Sequence, residues 1–132
     1  MSQENVRTMR AVIEAFNRRD SDGFGAFLAQ DAEIVPVRAA LEGTVYRGRT
    51  AATQYCTAVE ESWENLTWEV DEIKDGDSWV LALGRIQGRG RGSGAAIDTR
   101  GAWLARFRDG LVTNFRTYPD RREALEAVSL EE

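Results

Sequence analysis

The sequence predicts an α+β fold in which helices cover one face of a curved, mostly antiparallel sheet. Two observations carry this prediction. Apolar residues recur at helical spacing in three segments up to Trp63, and the period changes to that of β-strands from Leu66 onward. The strongest strand pair spans residues 98–118, where Arg108-Asp109-Gly110 provides a tight turn. Helices that precede an antiparallel run are typical of α+β domains.

Length and composition predict one globular domain over residues 1–132. The chain has 42% hydrophobic and 30% charged residues, an ordinary composition for a soluble protein. Its net charge of −5 argues against binding to nucleic acids or to anionic membranes. No signal peptide is recognisable, and the longest apolar run, Trp79 to Leu83, is far too short to span a membrane. We therefore expect a cytoplasmic protein.

The lack of histidine restricts the available chemistry. It excludes Ser-His-Asp and Cys-His catalysis, histidine general bases and most zinc sites. Lys74 is the single lysine, which makes Schiff-base catalysis a poor prediction, and Cys56 is the single cysteine, which rules out an intrachain disulfide. We expect Cys56 to be a small core residue. No metal site and no cofactor is predicted.

Three amphipathic segments are predicted to form helices before the strands begin. The first covers residues 3–17 after Ser2 as the N-cap, the second begins at Asp20 or Ser21, and the third follows Thr50 as the N-cap. Their apolar faces are, in order, Val6, Met9, Val12, Ile13 and Phe16; Phe24, Phe27 and Leu28; and Ala52, Tyr55, Cys56, Val59 and Trp63.

The strands and the last helix follow from turn signals. We predict a short strand at 32–37, which Pro36 confines to a sheet edge or a bulge, and then a loop over 38–49. Two further strands, 66–74 and 78–87, are joined by an Asp-Gly-Asp turn. The glycine-rich residues 88–94 are open to three interpretations, a turn, a flexible bulge or the end of a long strand, and we predict a turn that connects two strands. A capping-box pattern at 120–123 opens a terminal helix whose inward residues are Ala124, Leu125 and Val128.

Two registers are open to the hairpin at 98–118. A two-residue turn pairs Arg108 with Leu111, whereas a three-residue turn pairs Phe107 with Leu111 and Trp103 with Phe115. Because a one-residue slip moves every side chain to the other face, the choice decides which residues face the core. We predict the three-residue turn, which keeps apolar residues together. The predicted inward face is Thr99, Gly101, Trp103, Ala105, Phe107, Leu111, Thr113, Phe115 and Thr117.

The order of several segments resembles a known family. These are AFNRRD, FLAQDAEI, YRGR before a helix, a Gly-Asp turn, Ser-Gly, WLARFRDG and RTYPDRREAL. Together they resemble the SnoaL-like branch of the nuclear transport factor 2-like superfamily, over almost the whole chain. The resemblance implies a cone-shaped α+β barrel, with the sheet wrapped around the N-terminal helices and an internal pocket. It also implies, commonly, a homodimer packed through the outer face of the sheet.

The resemblance also implies where catalytic residues would stand. Ketosteroid isomerase is similar in architecture, and its acid–base positions fall here on Val12, Pro36 and Trp103, none of which can shuttle a proton. Limonene epoxide hydrolase, another relative, has an Asp-Arg-Asp trio around a water. Its arginine matches Arg85, but its two acids fall on Gln87 and Thr117, so the water would lack a base.

Arg85 is therefore the strongest candidate for binding a ligand. It alternates in phase with Leu81 and Leu83, and an arginine in the pocket would suit a carboxylate or a polarised carbonyl. The alternative is that Arg85 reaches solvent or pairs with an acid such as Glu33 or Asp98. The full set of predicted ligand-binding residues is Arg85, Gln87, Trp103, Thr117, Tyr55, Trp63 and Phe115. For Tyr55, Trp63 and Trp103 the alternative is ordinary core packing.

Arginines are concentrated in the second half of the chain. Residues 85–118 contain seven arginines and two aspartates. The sequence motifs of an RNA-binding sheet are absent, so we expect this surface to meet solvent or a second subunit, and no nucleic acid or membrane. The predicted homodimer surface comprises Arg100, Leu104, Arg106, Asn114 and Arg116.

These observations predict a protein that binds a small molecule, either apolar or bearing a carboxylate or carbonyl. An enzyme of the isomerase, cyclase or hydrolase type is one form of this prediction, although the usual acid–base residues are missing. The alternative is a non-catalytic dimerisation or interaction module whose pocket is filled by its own side chains.

Overall fold

A computed structural model of the chain describes residues 2–36, 45–48 and 50–129. The described elements are α1 (Ser2–Asn17), α2 (Ser21–Gly25), β1 (Leu28–Val35), β2 (Tyr46–Arg47), α3 (Ala51–Ser62), β3 (Trp63–Asp75), β4 (Trp79–Gly90), β5 (Ala96–Arg108), β6 (Leu111–Tyr118) and α4 (Arg121–Ser129). The predicted loop at 38–49 lies mostly outside the described residues. Within the described part of the chain, no helix has the length and apolarity that crossing a bilayer requires.

All described strands belong to one sheet in the order β2-β1-β6-β5-β4-β3. The β1–β6 pair is parallel, and the other neighbouring pairs are antiparallel. Helices α1, α2 and α3 cover one face of the sheet, and α4 packs on the other. The predicted α+β fold with a curved, mostly antiparallel sheet is confirmed.

Helix capping follows the sequence signals at α2 and α4 but not at α3. The Asp20 side chain accepts a hydrogen bond from the Gly23 amide at 2.9 Å, which selects Asp20 over Ser21 as the cap of α2. Asp120 accepts one from the Glu123 amide at 2.8 Å at the start of α4. Thr50 occupies the N-cap position of α3, but its side chain makes no capping hydrogen bond. The start of α3 is therefore stabilised by packing against the other helices rather than by a side-chain cap.

Two apolar residues predicted on helices instead begin strands. Leu28 opens β1 and pairs with Val112, so β1 is longer than predicted and Pro36 follows it. Trp63 has extended backbone angles (φ −135°, ψ 147°) and opens β3 opposite Gly90. In both places helical spacing continues in the sequence past the point where strand pairing begins, because a residue at the junction satisfies both apolar patterns.

The predicted hairpin register is wrong near the turn. Arg108 pairs with Leu111 across a two-residue turn, with positive φ at Asp109 (54°) and Gly110 (81°). Leu111 consequently lies outside the core and is 39% exposed, while Val112 takes the inward position. A bulge then adds Thr113 as an extra residue on β6.

The bulge restores the predicted inward face farther from the turn. Beyond it, Ala105 pairs with Phe115 and Trp103 with Thr117. The two-residue turn alone would have turned the odd-numbered residues of β6 outward. The extra residue in the bulge turns them inward again. Trp103, Phe115 and Thr117 are therefore inward as predicted, but for a different reason.

Buried apolar residues form two separate clusters on the two faces of the sheet. The inner cluster lies between the sheet and α1–α3, and its largest members include Phe16, Phe24, Trp68, Trp103 and Phe115. Cys56 belongs to it, as predicted. The outer cluster lies between the sheet and α4. Its members are Trp79, Leu81, Leu83, Ala102, Leu104, Tyr118, Ala124 and Val128.

The outer cluster changes the predicted dimer surface. Leu104 is fully buried beneath α4 of its own chain, so it is not available to a second subunit. Arg116 stays exposed and lies over the Tyr118 ring at 5.2 Å, and Asn114 donates to Glu33 at 3.5 Å. A homodimer stays a prediction, and any surface for it on this side must include α4.

Candidate functional site

A partly open cavity of about 480 Å³ lies between α3 and the inner face of the sheet. Helix α3 contributes Tyr55 and Val59 to its wall, and β3 contributes Leu66 and Trp68. The turn between β4 and β5 borders the cavity on another side. Further lining residues are Pro36, Tyr46, Trp63, Ile86, Ile97, Thr99, Thr117 and Pro119. The volume is in the range of cavities that hold small organic molecules.

Stacked aromatic rings support the inner side of this cavity. The Trp68 indole lies parallel to the Phe16 ring, with centroids 3.6 Å apart and an interplanar angle of 6°. Trp103 and Phe115 approach Trp68 at 5.2 and 5.7 Å, and the Tyr55 ring lies 6.3 Å from it. Such contacts hold large side chains in fixed positions. The part of the wall formed by Tyr55 and Trp68 is therefore aromatic, and Phe16, Trp103 and Phe115 support it from behind.

Two polar residues at the end of α1 hold the helices and β3 together behind this wall. The Asn17 side chain donates to the Trp68 carbonyl and accepts from the Trp68 amide, both at 2.9 Å. Arg19 has a left-handed backbone (φ 56°) and donates to the Phe16 and Leu66 carbonyls and to Glu60. These bonds satisfy backbone groups that lack a strand partner, and they fix Trp68 relative to α1.

Among the described residues, two buried polar atoms on the inner face make no hydrogen bond of ordinary geometry. They are the Thr117 hydroxyl oxygen and the Trp103 indole nitrogen. The two residues face each other across the β5–β6 pair, and Thr117 lines the cavity. The Thr117 hydroxyl nevertheless lies close enough to the Tyr55 phenol to lower the pKa of that phenol.

Tyr55 adds a third polar group near this position. Burial raises the pKa of the Tyr55 phenol well above its ordinary value, and the neighbouring Thr117 hydroxyl opposes that rise. The phenol is therefore protonated at neutral pH and cannot act as a general base. It can donate a hydrogen bond to a group in the cavity.

The mouth of the cavity carries a positive charge that the chain partly compensates. Arg91 in the β4–β5 turn donates to the Glu60 carbonyl and lies 3.5 and 3.7 Å from the carboxylates of Glu60 and Glu64. Its side chain is nevertheless 44% exposed. Among the lining residues that the structure describes, none is aspartate, glutamate or lysine. The described lining therefore offers hydrogen-bond donors and, at the rim, the two arginines Arg91 and Arg100. It contains no carboxylate that could act as a base.

The structure brings together only some of the predicted site residues. Tyr55, Trp63 and Thr117 line the cavity, whereas Trp103 and Phe115 are fully buried in the inner cluster behind it. That these residues bind a ligand stays a prediction. The remaining two, Arg85 and Gln87, do not line it.

Arg85 and Gln87 lie on the outer face of the sheet. On β4 the even positions Val80, Ala82 and Ile86 belong to the inner cluster, and the odd positions point to α4. Arg85 does share a face with Leu81 and Leu83, but that face is the outer one. Its guanidinium binds Asp98 at 2.7 Å, the alternative considered for it from sequence.

Several residues that line the cavity were not predicted from the sequence. Leu66 and Trp68 alternate on β3 and carried a usable strand signal, although nothing in it distinguished a cavity wall from filled core. Tyr46 belongs to a two-residue strand, which is too short to show any period. Arg91 belongs to the segment that we predicted as a strand-connecting turn rather than a bulge or a strand end, and only its position relative to α3 places it at the mouth.

Comparison with known proteins now identifies the family. The family model described as SnoaL-like domain matches residues 9–115. The chain belongs to the SnoaL-like family. Solved structures agree with this assignment at the level of the fold, whereas no curated protein matches the sequence.

Three solved structures illustrate the likeness of this SnoaL-like chain to its neighbours. An NTF2-like protein of unknown function from Burkholderia pseudomallei has a TM-score of 0.80 and 23% identity, with 98% of each chain covered. A putative polyketide cyclase from Xanthomonas campestris has a TM-score of 0.77 and 24% identity, covering 92% of this chain and 94% of its own. A putative SnoaL-like polyketide cyclase from Jannaschia has a TM-score of 0.78 and 18% identity, covering 98% and 94%. At these identities the likeness establishes the fold alone.

Proposed function

We propose that this SnoaL-like protein binds a small, flat and largely apolar molecule in the cavity between α3 and the inner face of the sheet. The observation that carries the proposal is the partly open cavity of about 480 Å³ with an aromatic wall. A wall of stacked rings favours a planar ligand, since rings gain from offset or edge contacts with other rings. Two of the solved neighbours are described as putative polyketide cyclases, a name that is in keeping with a small-molecule ligand.

The arrangement supports binding better than acid–base catalysis by the described residues. Isomerases and hydrolases that move protons need a group whose pKa lies near the working pH. The described lining residues include no carboxylate, and the raised pKa of the Tyr55 phenol removes it as a base. What the wall offers instead is hydrogen-bond donation, which orients a ligand and polarises its oxygen atoms.

The open cavity also argues against a self-filled interaction module. That alternative needs Trp63 and Trp103 to occupy the space inside the cone. Trp63 instead stands at the wall, and Trp103 packs behind Trp68 in the inner cluster. A cavity of about 480 Å³ remains beside them.

The test is a fluorescence titration with N-phenyl-1-naphthylamine, a neutral apolar dye. We expect saturable binding to the intact chain. Replacing Ala58 on the cavity side of α3, as Ala58→Trp, should fill part of the space and weaken dye binding by about tenfold or more, equivalent to about 1.4 kcal/mol. The neighbouring variant Thr57→Trp, at an exposed position of the same helix, is the matched control and should bind as the parent does.

Two results would contradict the proposal. One is the lack of saturable dye binding by the intact chain. The other is equal affinity in Ala58→Trp, Thr57→Trp and the parent, which would place the dye outside this cavity. Circular dichroism and the melting temperature of each variant establish that a loss of binding does not come from a loss of folding.

A further inference from the structure

We propose that the turn between β4 and β5 is a gate at the mouth of the cavity, which Arg91 closes by binding the C-terminal end of α3. This inference rests on the proposed function, because it names what controls the entry and exit of the ligand that the cavity binds. The gate opens when the turn separates from α3, and it closes when Arg91 returns to the last carbonyl groups of that helix.

The turn and the end of α3 together border the mouth. Residues 90–93 of the turn line the cavity, and so do Val59 and Ser62 of the helix. The Arg91 amide donates a hydrogen bond to the Ser62 carbonyl at 3.0 Å, and the Arg91 guanidinium donates one to the Glu60 carbonyl. A single residue of the turn therefore makes both a backbone and a side-chain connection to the end of the helix.

The charges at the end of α3 explain why an arginine binds there. The last carbonyl groups of a helix lack partners within the helix and carry partial negative charge. The last turn of α3 contains no basic residue, and Glu60 and Glu61 add further negative charge. Arg91 supplies positive charge from outside the helix, 3.5 Å from the Glu60 carboxylate and 3.7 Å from that of Glu64. Arg19 binds the other oxygen of the Glu60 carboxylate at 2.6 Å and so holds that carboxylate in position.

The rest of the turn is held in place by few contacts. Residues 91–95 include no large apolar side chain and are exposed, and a Cβ atom at Gly92 or Gly94 would meet no atom within 4 Å. The turn keeps its shape through its own hydrogen bonds, from the Gly90 amide to the Ala95 carbonyl and from the Gly94 amide to the Gly90 carbonyl, both at 2.9 Å. Exposed segments with few packing contacts open locally at low cost. The turn can therefore move as a unit once Arg91 releases α3.

The test measures the exchange kinetics of N-phenyl-1-naphthylamine by stopped-flow fluorescence, with association followed on mixing and dissociation on dilution. The dye is neutral, so a change of protein charge does not alter its electrostatic attraction to the mouth. Arg91→Gln should raise the association and dissociation rate constants by the same factor, roughly threefold to tenfold, as expected for the loss of exposed ion pairs and one charged hydrogen bond. The Kd should stay unchanged. Arg108→Gln is the matched control, because Arg108 binds Asp31 at 2.9 Å but does not line the cavity, and it should exchange dye as the parent does.

A second variant changes the same contact from its other side. Glu64→Gln removes one of the two carboxylates near Arg91 and should accelerate dye exchange less than Arg91→Gln does. The double variant should exchange dye no faster than Arg91→Gln alone, because both substitutions break one contact. Raising the NaCl concentration screens ion pairs, so it should accelerate exchange in the parent and have little effect in Arg91→Gln.

Hydrogen exchange tests the movement of the turn without any ligand. When the gate opens, the amide of residue 91 loses the Ser62 carbonyl, whereas the Gly94 amide keeps its partner within the turn. We therefore expect the amide at position 91 to exchange faster in Arg91→Gln than in the parent, and the Gly94 amide to exchange at the same rate in both. NMR measurement of single amides separates the two positions.

The outcomes separate this inference from the proposed function. Equal rate constants in the parent and Arg91→Gln overturn the gate and leave dye binding intact. A change confined to the dissociation rate constant also overturns it, because Arg91 would then contact the bound dye. Unchanged hydrogen exchange at position 91 overturns the movement of the turn. Failure of the dye to bind contradicts the proposed function, and hydrogen exchange at position 91 still decides whether the turn opens.

Discussion

The two faces of β4 are both apolar, yet they border different environments. On the outer face Trp79, Leu81 and Leu83 are covered by α4, and the contact is sealed. On the inner face smaller side chains, Val80 and Ala82, face the aromatic residues of the helices and the other strands. The cavity between α3 and the sheet lies on that inner side. Apolar character therefore tells where a strand is buried, but not which burial surface leaves room for a ligand.

The largest expected effect is a difference in the free energy of unfolding between variants of two leucines. Leu104 is fully buried in the outer cluster, and Leu66 lines the cavity. Leu104→Ala should lower the free energy of unfolding by about 3 kcal/mol or more, because it leaves a closed hole beneath α4. Leu66→Ala should lower it by roughly half as much, because Leu66 already borders open space. Urea denaturation of the two variants measures the difference.

Binding should respond in the opposite order in this pair. Leu66→Ala alters the cavity wall and should change the affinity for N-phenyl-1-naphthylamine, whereas Leu104→Ala should not. Equal losses of stability in the two variants would mean that the space beside Leu66 is collapsed in solution.

A second, smaller effect concerns the curvature that brings β3 to the cavity. Gly84 faces a bulge in β3, and a Cβ atom at this position would lie 1.8 Å from the Glu69 carbonyl oxygen. Since that neighbour is backbone, it cannot move away without shifting β3. Gly84→Ala should therefore lower the free energy of unfolding by about 2 to 3 kcal/mol, as overpacking does, and should weaken dye binding by displacing Leu66 and Trp68.

The control for this prediction is another glycine at the mouth of the cavity. A Cβ at Gly92 would meet no atom within 4 Å, so Gly92→Ala should change the free energy of unfolding by less than about 0.5 kcal/mol. If Gly84→Ala behaves in the same way, the close approach of β3 to β4 is not required for the fold.

The sequence predicted the fold well because several independent signals agreed. Helical period, strand period and the turn at Asp109-Gly110 all pointed to the same order of elements, and the family resemblance matched them. The register of the hairpin was harder. The register depends on Thr113, the extra residue of the bulge, whose hydroxyl donates to the Arg106 carbonyl at 3.3 Å. No local sequence pattern indicates a bulge of this kind.

The candidate site was predicted less well, and β4 explains why. A strand with apolar residues at both odd and even positions has no phase from which its faces can be assigned. Arg85 was therefore placed inward on the basis of Leu81 and Leu83, and only the position of α4 shows that these leucines are covered from outside. On β6, by contrast, Phe115 and Thr117 alternate with Arg116, and their inward position could be predicted.

The smallest expected effect tests the face assigned to Arg85. Arg85→Ala should leave the affinity for N-phenyl-1-naphthylamine unchanged, because the guanidinium binds Asp98 on the outer face. A tenfold loss of affinity for the dye in this variant would mean that Arg85 lies in the cavity, and it would contradict the assignment of the β4 faces.

The same variant makes a pH prediction about that ion pair. Hydrogen bonding to Arg85 holds the pKa of the Asp98 carboxyl below its ordinary value of 3.8. A lowered pKa in the folded state means that the stabilisation is fully present above the ordinary pKa and is lost as pH falls through the lowered one. The difference in urea midpoint between the parent and Arg85→Ala should therefore vanish in acid. It should be small even at pH 7, since both side chains are substantially exposed and screened.

The control for this prediction is Arg7→Ala, which removes an arginine that makes no ion pair within the described residues and should show no such pH dependence. A midpoint difference for Arg85→Ala that persists unchanged in acid would mean that Arg85 stabilises the sheet by packing its aliphatic stem rather than by its charge.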